Sequence, residues 1–260
     1  MLAEAALMVL GPLFLWAWAV RRLELGRHGW AVIGFGCLFF ILSQIVETPF
    51  RLGVAALGLV APPLGGWLFS LIAGVGEECM RYVAMRWVAQ IRERLDRATA
   101  IAYGLGHGGF ESLALGLGVL ATALVIRNAV ADPSLLPQLP DAMAEQARRV
   151  AETPPYVFFG GVLERALAIT LHVGLSLVVA RAVLQRSVRF LGLAVAWHTL
   201  SNGVALTIQA AVQNGPVTEL WVAVAAAAAL AYGLATPLGS AASSEPTGAG
   251  ASGPVGSGTS

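Results

Sequence analysis

The sequence predicts an all-α fold, a polytopic transmembrane helical bundle of about seven spans, and three observations carry that expectation. Of the 260 residues, 57% are hydrophobic and 12% charged, with a mean hydropathy of +0.73, a composition suited to lipid rather than water. Several stretches reach the roughly 20 mainly apolar residues that a bilayer-spanning helix needs. Short arginine-bearing segments separate them, as loops do between spans.

The first span is read over 3–20. It lacks a basic start, includes Glu4 and runs into Arg21 and Arg22 without a small-residue cleavage site, so it is expected to be a retained span and not a leader. The second is 31–46. The third stretch, 53–89, is too long for one straight helix; Pro62 and Pro63 are expected to break it, leaving 53–61 as a short or re-entrant piece before a helix from about Leu64. Spans follow at 98–126, 157–184, 190–212 and 218–237. Between the fourth and fifth, 127–156 contains Pro133, Pro137, Pro140, Pro154 and Pro155 around a short helix at 141–152, and is read as a linker. From Gly239 onward the chain is Gly, Ser, Ala, Thr and Pro with few bulky residues. That divides it into a transmembrane domain, 1–238, and a disordered tail, 239–260.

Arginines gather at 21–27, 86–97 and 181–189. These are alternate connections, so one face is arginine-rich and expected to be cytoplasmic in the cell membrane, with the N-terminus outside and the C-terminus inside. Trp30, Trp87, Tyr156 and Trp221 fall at span ends, where aromatic belts form. The net charge is only +1, no basic stripe is present, and a nucleic-acid partner is not expected. Cys37 and Cys79 lie in apolar stretches and imply no disulfide framework.

Acids and histidines inside spans cost about 2.5–3.5 kcal/mol for a central charge and usually face a bundle interior or a watery cavity. The third span holds Glu77-Glu78-Cys79-Met80-Arg81, the fourth runs from Tyr103 through His107 to Glu111, and the sixth holds His198 to Asn202. Measured from the arginine-rich end at ~1.5 Å per residue, the glutamates lie roughly 15–17 Å deep, His107 roughly 13 Å and His198 roughly 12 Å. One level suits one site. Glu77 with Arg81, His107 with Glu111, and His198 with Asn202 are four apart, so each pair shares a helix face. Adjacent Glu77 and Glu78 diverge by about 100°, so one is expected to react and the other to be structural.

Blander roles compete with this reading. Glu77 and Arg81 can form an ion pair that only ties helices together, and His107, among Gly104, Gly106, Gly108 and Gly109, can bond across a small-residue seam. His172, in the middle of the fifth span, is either a packing histidine or a lining residue of the same cavity. Glu164 and Arg165 read as a local ion pair, and Ser43, Gln44 and Glu47 as interface polars.

A carboxylate beside a histidine in an apolar site can activate water, and a His/Asn pair can donate to the oxyanion formed when water attacks a carbonyl. This set resembles the glutamic-type intramembrane proteases, specifically the YhfC family, and is similar to the wider CPBP group that includes the type II CAAX-prenyl endopeptidases. That group carries Glu-Glu-xxx-Arg, aromatic-xxx-His and His-xxx-Asn motifs on separate spans. They correspond to Glu77-Glu78-Cys79-Met80-Arg81, Tyr103 to His107, and His198 to Asn202, within residues 65–205. The resemblance implies that Glu77 activates water with His107, that His198 and Asn202 hold the oxyanion, and that Arg81 orients the glutamates. Arg81 follows Glu78 by three residues, one fewer than in the wider group, so alignment on the arginine exchanges the two glutamates.

Catalytic roles are therefore expected of Glu77, Glu78, His107, His198 and Asn202, with support from Arg81, Glu111 and His172. No cofactor is expected. The alternative is zinc held by Glu77 or Glu78 with His107 and His198, although His-Glu-xx-His is missing. A proton-coupled transporter or a membrane scaffold are the non-hydrolytic alternatives. The expected partners are the bilayer and a membrane-embedded or membrane-associated peptide or protein substrate.

Overall fold

The computed structural model describes residues 1–132, 134, 139–212 and 215–239. Helices account for nearly all of them, without a strand among the described residues: α1 (Leu2–Arg22), α2 (Gly26–Ala56), α3 (Leu64–Trp87), α4 (Ala89–Arg92), α5 (Arg97–Ala131), α6 (Asp141–Glu152), α7 (Phe159–Leu184), α8 (Val188–Val212) and α9 (Gly215–Ala235). Six of these, α1, α2, α5, α7, α8 and α9, are long and apolar enough to cross a membrane. The seventh long helix, α3, carries Glu77, Glu78, Arg81 and Arg86. It compensates for that polarity by packing its charged turn inside the bundle, against α2, α7 and α8.

The exterior is apolar, with Leu10, Phe14, Phe50 and Leu220 each more than half exposed. Such a surface is solvated by acyl chains. The protein is a multi-pass membrane bundle.

Two boundaries differ from expectation. The second span continues through Glu47, Thr48, Pro49 and Arg51 to Ala56, so 53–61 is not a separate re-entrant piece. Its polar residues interrupt the hydropathy but not the helix, because Glu47 and Arg51 pair along one face. The fourth span extends to Ala131, and at ~1.5 Å per residue α5 is about 50 Å long, well beyond a bilayer core. Its start is fixed where the Asp96 side chain accepts from the Thr99 amide at 2.8 Å, an N-cap. The short helix at 141–152 and the start at Leu64 are where the sequence places them. The tail expected from Gly239 lies, apart from Gly239 itself, outside the described residues.

α7 is the central helix, with 78% of its most apolar stretch buried, and it touches α1, α3, α5, α8 and α9. α2 and α5 approach closely where Gly36 meets the Tyr103 carbonyl and the His107 amide, and Gly106 meets the Ile33 backbone. A Cβ at either glycine would overlap main chain, which is why a small-residue seam is needed here. The seam sets His107 against α3.

Candidate active site

α3, α5, α7 and α8 converge at one level, and six polar side chains there are almost wholly withdrawn from solvent: Glu77, Glu78, Arg81, His107, His172 and His198. Glu77 and Glu78 point to different partners, as adjacent helical positions must. His107 Nε2 donates to Glu77 Oε2 at 2.9 Å, and His172 Nδ1 is 4.0 Å from the same oxygen. Glu78 Oε1 accepts from His198 Nδ1 at 2.9 Å, and its Oε2 lies 3.4 Å from Arg81 Nη1.

Arg81 thus pairs with Glu78, three residues away, and not with Glu77 as its four-residue spacing suggested. Its Nη1 also donates to the His172 carbonyl at 3.1 Å, and its Nη2 faces His172 Nδ1 at 3.0 Å. His172 Nε2 in turn donates to Glu111 Oε2 at 3.0 Å. Arginine can only donate and a carboxylate can only accept, so this network assigns His172 the neutral form with its proton on Nε2. Both ring nitrogens are engaged. His172 is therefore the hinge of the cluster, between His107, tilted against it, and His198, edge-on to it, at centroid separations of 4.8 and 5.4 Å.

Glu111, one turn along from His107, accepts from Arg165 Nη1 at 3.0 Å, and Arg165 Nη2 binds Glu164 Oε1 at 2.5 Å. The Glu164–Arg165 pair is local, as expected, but it is also bonded into the site through Glu111. A cavity of about 630 Å³ opens onto the cluster and is lined by Glu77, Glu111, Glu164, Arg165, His172, His198 and Asn202 among others. Asn202 sits on its wall, half-buried, one turn beyond His198. His107, Glu78 and Arg81 lie behind that wall.

Glu47, expected as an interface polar, is buried beside the site. It is 1% exposed, bonds Arg51 at 2.6 Å, and rests on Gly76, where a Cβ would lie 2.5 Å from its Cγ. The four-residue spacing to Arg51 and a glycine just before Glu77 were the available signals.

A family model described as YhfC intramembrane metalloprotease matches residues 7–224. The chain belongs to that family. It is also 28% identical over 238 residues to the membrane protein YhfC of Bacillus subtilis (strain 168), a relative described as uncharacterized, covering 86% of this chain and 90% of the relative. No solved structure matches the chain.

Membership in a family so described raises the question of which residues here could hold a metal ion. Glu77, His172 and His198 are buried and offer ligand atoms within 4.8 Å of one another, a His₂Glu set of the kind catalytic zinc uses. His107, part of the zinc set expected from sequence, is outside this group and bonds Glu77 from its Nε2 instead. Behind the donors, Glu111 holds His172 and Glu78 holds His198, the carboxylate–histidine backing common around metal ligands. With Nδ1–H given to Glu78, the other nitrogen of neutral His198 keeps its lone pair. At His172 Nδ1 a metal would replace the bond from Arg81, which keeps Glu78 and the His172 carbonyl. The residues fit.

Proposed function

We propose that the protein is an intramembrane endopeptidase that hydrolyses peptide bonds with water held at Glu77, and that Glu77, His172 and His198 hold a divalent ion of the zinc class. One observation carries this reading. Glu78 is paired with Arg81, Glu111 with Arg165 and Glu47 with Arg51, whereas the partners of Glu77 are histidines. A buried carboxylate without a matching fixed cation is the natural place for a metal or a transferable proton. This assigns the reactive role to Glu77 and the structural one to Glu78.

The chemistry that a zinc-class ion supplies is polarisation of a carbonyl and acidification of water. The chain's own residues orient and exchange protons. His107, donating from Nε2, fixes the Glu77 carboxylate. Glu111 fixes the His172 ring, and Glu78 with Arg81 fixes His198. Asn202 offers an amide to the substrate from the cavity wall. The apolar surround excludes bulk water and strengthens each of these interactions.

The Arg81 bond to His172 Nδ1 favours a second reading, in which no metal binds and Glu77 with His107 activates water directly. There His198, protonated, donates to the oxyanion together with Asn202. The readings part at the His198 nitrogen that faces away from Glu78, a lone pair in one and a donor in the other. Metal analysis of the purified protein, with proteome-wide comparison of membrane peptides from cells carrying the parent or Glu77→Gln, tests both. One zinc-class ion per chain and peptide differences that vanish on chelation are expected. Full activity in metal-free protein would leave the second reading, and identical peptide profiles would remove proteolysis altogether.

A further inference from the structure

Two arginines line the cavity, Arg51 and Arg165, and they are in different states. Arg165 is bonded to two carboxylates, Glu111 and Glu164. Arg51 is not saturated: its Nη2 donates to Glu47 at 2.6 Å, its Nε is buried without a partner, and 40% of its side chain is exposed. A guanidinium has five N–H donors in a planar fork, and a buried donor without an acceptor calls for one. The carboxylate it binds, that of Glu47, is buried behind it. Glu47 is wedged against Gly76, with its Oε1 otherwise unpartnered, on the helix that carries Glu77. Arg51, 40% exposed, is thereby held in place on the cavity wall.

We propose that Arg51 is a specificity-determining residue that binds a carboxylate of the peptide substrate, about one to two residues from the scissile bond. This rests on the proteolytic reading of the Glu77 site. The spacing comes from the helices. Glu47 lies level with Gly76, next to Glu77, and the Arg51 backbone is four residues further along α2, roughly 6 Å at ~1.5 Å per residue, with its guanidinium reaching back to Glu47, so the fork lies at most about that far from the level of Glu77. An extended peptide advances about 3.3 Å per residue, so an anion at Arg51 belongs to a residue one or two removed from the one at Glu77. The guanidinium fork matches a carboxylate bidentately. Either an acidic side chain or the chain's own C-terminus supplies that group.

The test is a binding measurement that needs no turnover. Full-length protein carrying Glu77→Gln, in nanodiscs of neutral lipid, is titrated with three fluorescent apolar peptides of one sequence. One ends in a free carboxylate, one in an amide, and one in an amide with glutamate three residues earlier. At least one carboxylate peptide is expected to bind about tenfold more tightly than the plain amide, in line with a charged hydrogen-bonded contact, and the peptide preferred names the source. Arg51→Gln should abolish the preference. Arg51→Lys keeps a cation for Glu47, should retain the parent's thermal unfolding, and should lose most of the preference with the fork.

Equal binding of all three peptides, binding of none, or a preference that survives Arg51→Gln would overturn the proposal. So would an Arg51 dependence seen only for added phosphatidylglycerol, which would make this a lipid headgroup contact. Failure of the proteolytic reading is scored separately, by the absence of membrane-peptide differences between cells with the parent and with Glu77→Gln.

Discussion

At the scale of single residues, the neighbouring glutamates should fail in different ways. Glu77→Gln keeps the shape and the His107 contact, so its thermal unfolding in detergent should match that of the metal-free parent while peptide cleavage is lost. Glu78→Gln removes the acid that neutralises Arg81, both side chains being fully buried. Breaking a buried pair by deleting one partner costs about 3–5 kcal/mol, and the midpoint of unfolding should fall accordingly. Cleavage by Glu77→Gln at the parent's rate would be incompatible with its role. His172→Gln makes a third case, because an amide can still accept from Arg81 or donate to Glu111 but cannot reproduce the ring's span between them. It should lose bound metal and activity together, whereas a purely packing histidine would retain both once the variant is folded.

At the scale of elements, the site depends on how closely α2 lies against α5. Gly106→Ala places a methyl into the Ile33 backbone, and overpacking of this kind typically costs about 1–3 kcal/mol. The expected outcome is a lowered unfolding temperature together with reduced cleavage, since His107 is the next residue and moves with the seam. Parent-like values for both would mean that the two helices can separate without disturbing Glu77. The sequence made these elements legible because hydropathy reports a span and a glutamate or histidine inside one is conspicuous. The three polar clusters and their common depth follow from rise per residue alone. What it did not carry is azimuth between helices. Spacing alone does not say whether Arg81 meets Glu77 or Glu78, since three- and four-residue neighbours both lie on one helix face, whereas in the fold Arg81 is also held by His172 on α7. His172 has no motif around it, so only the position of α7 at the bundle centre reveals that it joins Arg81 to Glu111. The length of α2 was hidden for a related reason: Glu47 and Arg51 read as the end of a span because their mutual pairing is not visible in hydropathy.

At the scale of the whole molecule, the three proposed ligands lie on α3, α7 and α8, so a metal held by them would be linked to the fold. A ligand that binds only the native state stabilises it by RT ln(1 + [L]/Kd), about 2.7 kcal/mol at a hundredfold excess over Kd, so chelation should lower the unfolding temperature of the parent but leave Glu77→Gln unchanged. Orientation in the bilayer is a second global property, and the distribution of charge argues for it. Arg21, Arg22 and Arg27, the group from Arg86 to Arg97, and Arg181, Arg186 and Arg189 all fall at the same end of the bundle. By the positive-inside bias that end is expected to be cytoplasmic, with α6 and the cavity rim near Glu164 on the opposite side. Glu93, next to α4, and Glu145, on α6, are 67% and 50% exposed and report the two faces. In a chain freed of its own cysteines, Glu145→Cys should react with a membrane-impermeant maleimide in intact cells, and Glu93→Cys only after the membrane is opened. The reverse pattern would invert the molecule and turn the cavity, and with it Arg51, toward cytoplasmic peptides.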